Sequence, residues 1–143
     1  MLELPIHAVM EPGKLVVAFP DTRVSEAAQL MKEKNVGAIL VLREGRLVGI
    51  FTERDGLNRI LAAGRDARTT RLEEVMTPDP KTVASNDSFG YALLLMHENG
   101  FRHVPVMENG LPVGVVSARH ALDPDLEEFT VEAERRKSFR RRG

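Results

Sequence analysis

Residues 25–55 read SEAAQLMKEKNVGAILVLREGRLVGIFTERD, and residues 90–120 read GYALLLMHENGFRHVPVMENGLPVGVVSARH. At an offset of about 65 residues the second stretch lies on the first without a gap. Ala27 meets Ala92, Leu30 meets Leu95, and Met31 meets Met96. Val41 meets Val106, Gly45 meets Gly110, Val48-Gly49 meets Val113-Gly114, and Arg54 meets Arg119. About nine identities fall in roughly 39 aligned positions, where ordinary composition gives about two or three by chance. Most other pairs exchange one apolar residue for another. One residue out of phase, Val9-Met10-Glu11-Pro12 matches Val75-Met76-Thr77-Pro78. The duplication therefore runs over nearly the whole chain, up to about Leu122.

Each unit reads as β-α-β-β-α. A short strand is expected over residues 15–19 and again over 82–84. The helix that follows carries Val24, Ala27, Ala28 and Met31, and its copy carries Phe89, Ala92, Leu93 and Met96. This i, i+3, i+4, i+7 spacing gives one buried face. Two apolar runs follow, at 38–42 and 47–51, joined by Arg-Glu-Gly-Arg. Their copies at 103–107 and 111–116 are joined by Glu-Asn-Gly. Short β-rich runs around a glycine turn predict a hairpin. A second helix is expected to start at Thr52 and at Ser117. One unit of about 55 residues barely buries a core, so the two are expected to pack on each other. The expected division is a first repeat over 4–63, a linker over 64–71, a second repeat over 72–122, and a C-terminal helix and basic tail over 123–143.

The bulk properties narrow the function classes. The chain has 143 residues, 43% hydrophobic and 29% charged, which is ordinary for a globular protein. No apolar run reaches the roughly 18 to 20 residues of a membrane span. The N-terminus, MLELPIHAVMEPGK, lacks a basic region followed by an apolar core, so no signal peptide is expected. Cysteine is absent, which excludes disulfides and thiolate metal sites and fits a cytoplasmic location. The net charge of −1 offers no long-range field for nucleic acid. Charge is uneven, however: DPDLEEF is acidic, and the final ERRKSFRRRG is strongly basic.

The joint GIFTERD, at residues 49–55, supports two readings. Thr52 and Asp55 fit a capping box, in which a hydroxyl and an acid bind each other's backbone N–H groups at a helix start. The same geometry suits a ligand. A helix N-terminus attracts phosphate, a hydroxyl there adds a contact, and a carboxylate can accept two hydrogen bonds from a ribose diol. Local spacing leaves both readings open.

The pattern Gly49-Ile50-Phe51-Thr52-Glu53-Arg54-Asp55, inside a tandem β-α-β-β-α repeat, resembles the cystathionine-β-synthase (CBS) domain. Val75-Met76-Thr77-Pro78 and Phe101-Arg102-His103-Val104-Pro105-Val106 are similar to further signatures of that family. The likeness covers residues 4–122. It implies an α+β fold with α/β-type layers: two repeats packed as a pseudo-twofold pair, called a Bateman module; the C-terminal helix, read from Pro124 and Asp125 at its start, is expected over 126–137, beyond the likeness. Such modules bind AMP, ADP, ATP or S-adenosylmethionine between the repeats, usually form flat dimers, and regulate rather than catalyse.

The resemblance further implies composite clefts. The first would take Ile50, Thr52 and Asp55, with Arg54 beside them, from repeat 1. Asp55 would hold the ribose hydroxyls, and Thr52 a hydroxyl or phosphate. Repeat 2 would add Thr77, Lys81, Phe101, Arg102 and His103, with Phe101 and the His103 backbone flanking adenine and Arg102 and Lys81 meeting phosphate. The second cleft would take Ser117, Arg119 and His120 with Glu11, Gly37 and Ala38. Here the chain departs from the pattern. His120 stands where the ribose-binding Asp belongs, and Glu11 stands where repeat 2 has Thr77. A neutral imidazole does not grip a diol as a carboxylate does, and Glu11 repels phosphate, so this cleft is expected to bind weakly or stay empty.

Other chemistry finds little support. His7, His97, His103 and His120 show no metal-ligand spacing. Ser25, Ser85, Ser88 and Ser117 lie in no nucleophile elbow. Glu73-Glu74 and Glu127-Glu128 read as solvated helix faces, and an enzyme would need a positioned base that the sequence does not offer. The primary expectation is a regulatory, non-enzymatic module that senses an adenosine ligand and acts on an unidentified protein or on its own homodimer. The rival is a nucleic-acid-binding or scaffold protein working through the basic tail, where only Phe129 and Phe139 are available for base stacking.

Overall fold

Two matching turns set the frame. In the computed structural model, which describes residues 1–11 and 13–121, Glu44-Gly45 and Asn109-Gly110 all have positive φ, from 50° to 78°. Positive φ at both central residues of a two-residue loop is the type I′ hairpin, whose twist matches its strands. The helix expected over 126–137 and the basic tail lie outside the described residues.

The elements run α1 (Ile6–Val9), β1 (Val17–Ala18), α2 (Val24–Lys34), β2 (Ala38–Arg43), β3 (Arg46–Thr52) and α3 (Glu53–Asp55). A π-helix (Gly56–Leu61) continues α3. Then come α4 (Leu72–Val75), β4 (Thr77–Pro78), β5 (Val83–Ala84), α5 (Phe89–Asn99), β6 (His103–Glu108), β7 (Leu111–Ser117) and a 3-10 turn (Ala118–Ala121). The first sheet has the order β1-β2-β3-β4 and the second β5-β6-β7. β1 runs parallel to β2 as β5 does to β6, and each hairpin carries a bulge at the equivalent place, Val41/Leu42 and Val106/Met107. The result is a mixed α+β pair of pseudo-twofold repeats.

The leading strands are shorter than the apolar runs at 15–19 and 82–84 suggest, with two paired residues each. Phe19 is 62% exposed, so that run does not continue into the sheet. The second helix also differs from a plain α-helix. Ala62 N–H donates to Leu57 O at 2.8 Å and Arg65 N–H to Ile60 O at 3.0 Å, both five residues back. Such widened turns cluster at functional sites.

The repeats exchange their leading segments. The core of the first half, around Ile39, Val41 and Phe51, includes Leu72 and Val75 from α4. The core of the second half, around Phe89, Val104 and Val116, includes Ile6 and Val9 from α1. Each fully buried apolar side chain contributes about 1.5–3 kcal/mol, so the exchange binds the halves firmly. Backbone bonds repeat the pattern. Leu72 and Glu73 N–H donate to Thr22 and Pro20 O, both at 2.9 Å; Ile6 and His7 N–H donate to Asp87 and Ser85 O at 2.9 and 3.1 Å.

β2 is buried on both faces. Ile39 and Val41 enter the first core, while Ala38 and Leu40 join Ile50 and Val115 between the sheets. That explains why AILVL reads as a continuous apolar run rather than an alternating one. The linker residues cover the start of α2, where no side chain caps the helix: Val24 N–H donates to Thr70 O and Ser25 N–H to Ala67 O. Among the described residues, no helix is long and apolar enough to cross a membrane.

Candidate functional site

β3 ends in Thr52, and the chain turns at once into α3. Asp55 N–H donates to Thr52 Oγ1 at 3.3 Å, and Thr52 N–H donates to Asp55 Oδ2 at 2.9 Å. The capping box is therefore formed. It also opens onto a cleft of about 580 Å³, within the range of small-molecule sites.

One wall comes from the first repeat and includes Ile50, Thr52, Arg54 and Asp55. The facing wall comes from the second and includes Thr77, Lys81, Phe101, Arg102 and His103. The fold brings all nine of these sequence-selected residues together. Thr77 reaches the site because β4 adds to the edge of the first sheet, pairing Thr77 with Ile50. Arg54 Nη1 donates to Gly100 O at 3.3 Å, joining the walls. Lys81 and Arg102 are exposed, and neither side chain has a hydrogen bond or ion pair among the described residues. Two cations facing a half-buried carboxylate give the cleft one anion-seeking end and one acceptor end.

Sequence reasoning missed Leu57, Arg59 and Glu53 in this lining. Arg59 follows Asp55 by four residues, a helical pairing distance that could have marked it. Its Nε lies 3.6 Å from Asp55 Oδ1, and its Nη1 donates to Val75 O at 2.8 Å and Met76 O at 3.1 Å.

The second cleft gathers Glu11, Gly37, Ala38, Ser117, Arg119 and His120, with Lys14 and His103, around only about 40 Å³. That is far below the roughly 300 Å³ at which small-molecule pockets begin. Ser117 N–H donates to His120 Nδ1 at 3.0 Å. The imidazole thus performs the backbone-capping half of what Asp55 does, from a buried position. His103 crowds the same space. It stands at the register of Ala38, pairing with Ser117 as Ala38 pairs with Thr52. A Cβ on Gly37 would lie 2.9 Å from His103 Nε2 and 3.1 Å from Glu53 Oε1.

His103 lines both clefts. Burial pushes its imidazole below its ordinary value near 6.5; Glu53 opposes this, while Arg119, His120 and Arg54 add to it. Neutral His103 is therefore favoured. Among the described residues, no group of three His, Asp or Glu side chains could hold a metal ion.

The CBS domain family matches residues 6–62 and 72–125. An uncharacterised 17.7 kDa protein of Acidianus ambivalens is 39% identical over 127 residues, covering 85% of this chain and 76% of that protein. Two other curated relatives are longer, and this chain spans 60% of one and 13% of the other. A crystal structure of an uncharacterised conserved protein from Pyrococcus horikoshii superposes with a TM-score of 0.79 at 31% identity, covering 88% of this chain and 95% of that one. A CBS domain pair solved in complex with 5′-methylthioadenosine and S-adenosyl-L-methionine shares the fold, with a TM-score of 0.73 at 23% identity over 83% of this chain and 97% of that one.

Proposed function

This chain belongs to the CBS-domain family, carrying the domain twice, and on that premise we propose that it is a regulatory module whose first cleft binds an adenosine-containing ligand. One observation carries the reading. A carboxylate and a hydroxyl from one repeat, Asp55 and Thr52, face an aromatic ring and two cations from the other, Phe101, Lys81 and Arg102, whose charges have no partner among the described residues, across one cleft of small-molecule size. Adenine would pack between Ile50 and Phe101, ribose would reach Asp55, and phosphate would meet Lys81 and Arg102. The adenosine compounds held by a related CBS pair support the ligand class.

The proposal is for a binding protein, not an enzyme. The ligand would act by favouring one shape of the module over another, and its effect is bounded by its differential affinity for the two. The affected surface would belong to a partner protein or to a homodimer of this chain. Leu57, Leu61, Tyr91 and Leu94 are exposed apolar side chains available to such a contact. A cytoplasmic location fits a cysteine-free chain.

Thermal unfolding with millimolar AMP, ADP, ATP, S-adenosylmethionine and NADH tests the reading. Ligand at 100 times its Kd adds about 2.7 kcal/mol, a rise of several degrees for a chain of this size. A rise with one or more adenosine compounds supports the proposal; no rise with any of them contradicts it.

A further inference from the structure

We propose that Arg59 is a positioning residue for the ribose end of the first cleft, holding the Asp55 carboxylate in the orientation that recognises a ribose diol. The inference rests on the adenosine reading above and adds a residue and a selectivity to it. The two oxygens of Asp55 are steered from different directions. Thr52 N–H bonds Oδ2 at 2.9 Å, and the Arg59 Nε stands 3.6 Å from Oδ1. A carboxylate held at one oxygen turns easily, because rotation about its last bond is broad and soft. A second restraint fixes its plane.

Arg59 is itself anchored. Its Nη1 donates to Val75 O at 2.8 Å and Met76 O at 3.1 Å, carbonyls at the end of α4 that lack helical partners. The residue after Met76 is Thr77, on the opposite wall of the cleft. One guanidinium therefore sets the carboxylate of one repeat relative to the strand contributed by the other. The planar fork of arginine makes both contacts at once, which a lysine ammonium cannot reproduce. The π-helix carries Arg59 to this place, and the turn that departs from α-geometry is the turn that reaches the site.

The test compares Kd for ATP and 2′-deoxy-ATP on the full chain. The two carry the same phosphates, so contacts to Lys81 and Arg102 cancel in the ratio. Loss of a hydrogen bond to a charged group corresponds to roughly tenfold or more, and the wild type is expected to prefer ATP by that factor. Arg59→Met is expected to bring the ratio most of the way to one, and Arg59→Lys to an intermediate value. Asp55→Ala is the control that brings it to one. If Arg59→Met and Arg59→Lys weaken both nucleotides equally and leave the wild-type ratio intact, Arg59 is only a structural clamp and the inference is wrong. If Arg59→Met does not fold, the Arg59→Lys ratio alone decides. A wild type that binds neither nucleotide overturns this inference, whereas the adenosine reading falls only if AMP, ADP, S-adenosylmethionine and NADH fail as well; one that binds both equally overturns the role of Asp55 on ribose and hence of Arg59.

Discussion

The Met76 thioether lies where a side-chain carbon on Gly49 would have to be, and Met10 repeats the arrangement on Gly114, with its Sδ 2.8 Å from the position of an added Cβ. The Val-Met segment of one repeat thus locks over the strand glycine of the other. This contact ties two sequence patterns that stand 27 residues apart, and 104 residues apart in the second instance. The glycine of each Gly-x-x-Thr/Ser joint is needed for close approach, not for unusual backbone angles.

Gly49→Ala should therefore cost more than Gly114→Ala. An added carbon at Gly49 meets Met76 Cγ at 2.9 Å and Cε at 3.0 Å as well as the sulfur, whereas at Gly114 it meets only the flexible tip of Met10. Overpacking of this kind costs about 1–3 kcal/mol. Urea unfolding should place Gly49→Ala in that range and Gly114→Ala below it. Combining Gly49→Ala with Met76→Ala should cost less than the sum of the single changes.

Thr52→Ala removes the hydroxyl that accepts Asp55 N–H and should destabilise the free protein by about 0.5–2 kcal/mol. It should also weaken ligand binding beyond that, since Thr52 faces the cleft. Ligand-free urea melts give the first quantity, and titration under conditions where the variant is fully folded gives the second. A variant with wild-type affinity would confine Thr52 to capping.

His103 should make stability fall on acidification. Its folded value is lowered by burial, so below about pH 6.5 the unfolded chain binds the proton more readily. The loss should begin as pH drops through the unfolded value and level off below the folded one. Of the charged groups around the ring, Arg119, His120 and Arg54 add to the effect and Glu53 opposes it. Melting curves between about pH 7.5 and 5.5 should show a smaller drop for His103→Gln than for the wild type. An equal drop would mean that other groups dominate.

Lys81→Gln combined with Arg102→Gln should weaken ATP by roughly tenfold or more while changing adenosine little, because only the nucleotide offers phosphate. The ATP affinity of the wild type should also fall with added salt more steeply than that of the double variant.

Much of this was legible because the chain repeats itself. Two copies of an i, i+3, i+4, i+7 face and two glycine turns fixed the helix and hairpin of each half, and Ala38 through Leu42 read correctly as a hairpin strand. The first cleft's residues were selected by their resemblance to a family pattern, not by local spacing, which allowed a simple cap. The exchange of leading segments was hidden, since Ile6 and Leu72 look equally suited to either core. Arg59 was half visible: its spacing of four from Asp55 was a signal, but its other partners are backbone carbonyls at Val75 and Met76, and backbone atoms leave no mark on side-chain patterns. The narrowness of the second cleft was half visible: His120 signalled a lost carboxylate, but the ring of His103 filling the same space comes from register.

The central claim is that one of two related joints serves as the ligand site. Isothermal titration of whichever adenosine compound raises the melting temperature most into the wild type and Asp55→Ala tests it most directly. The account predicts one binding event per chain in the wild type, lost or at least tenfold weaker in Asp55→Ala. Two equivalent events per chain, or undiminished binding by Asp55→Ala, would contradict it.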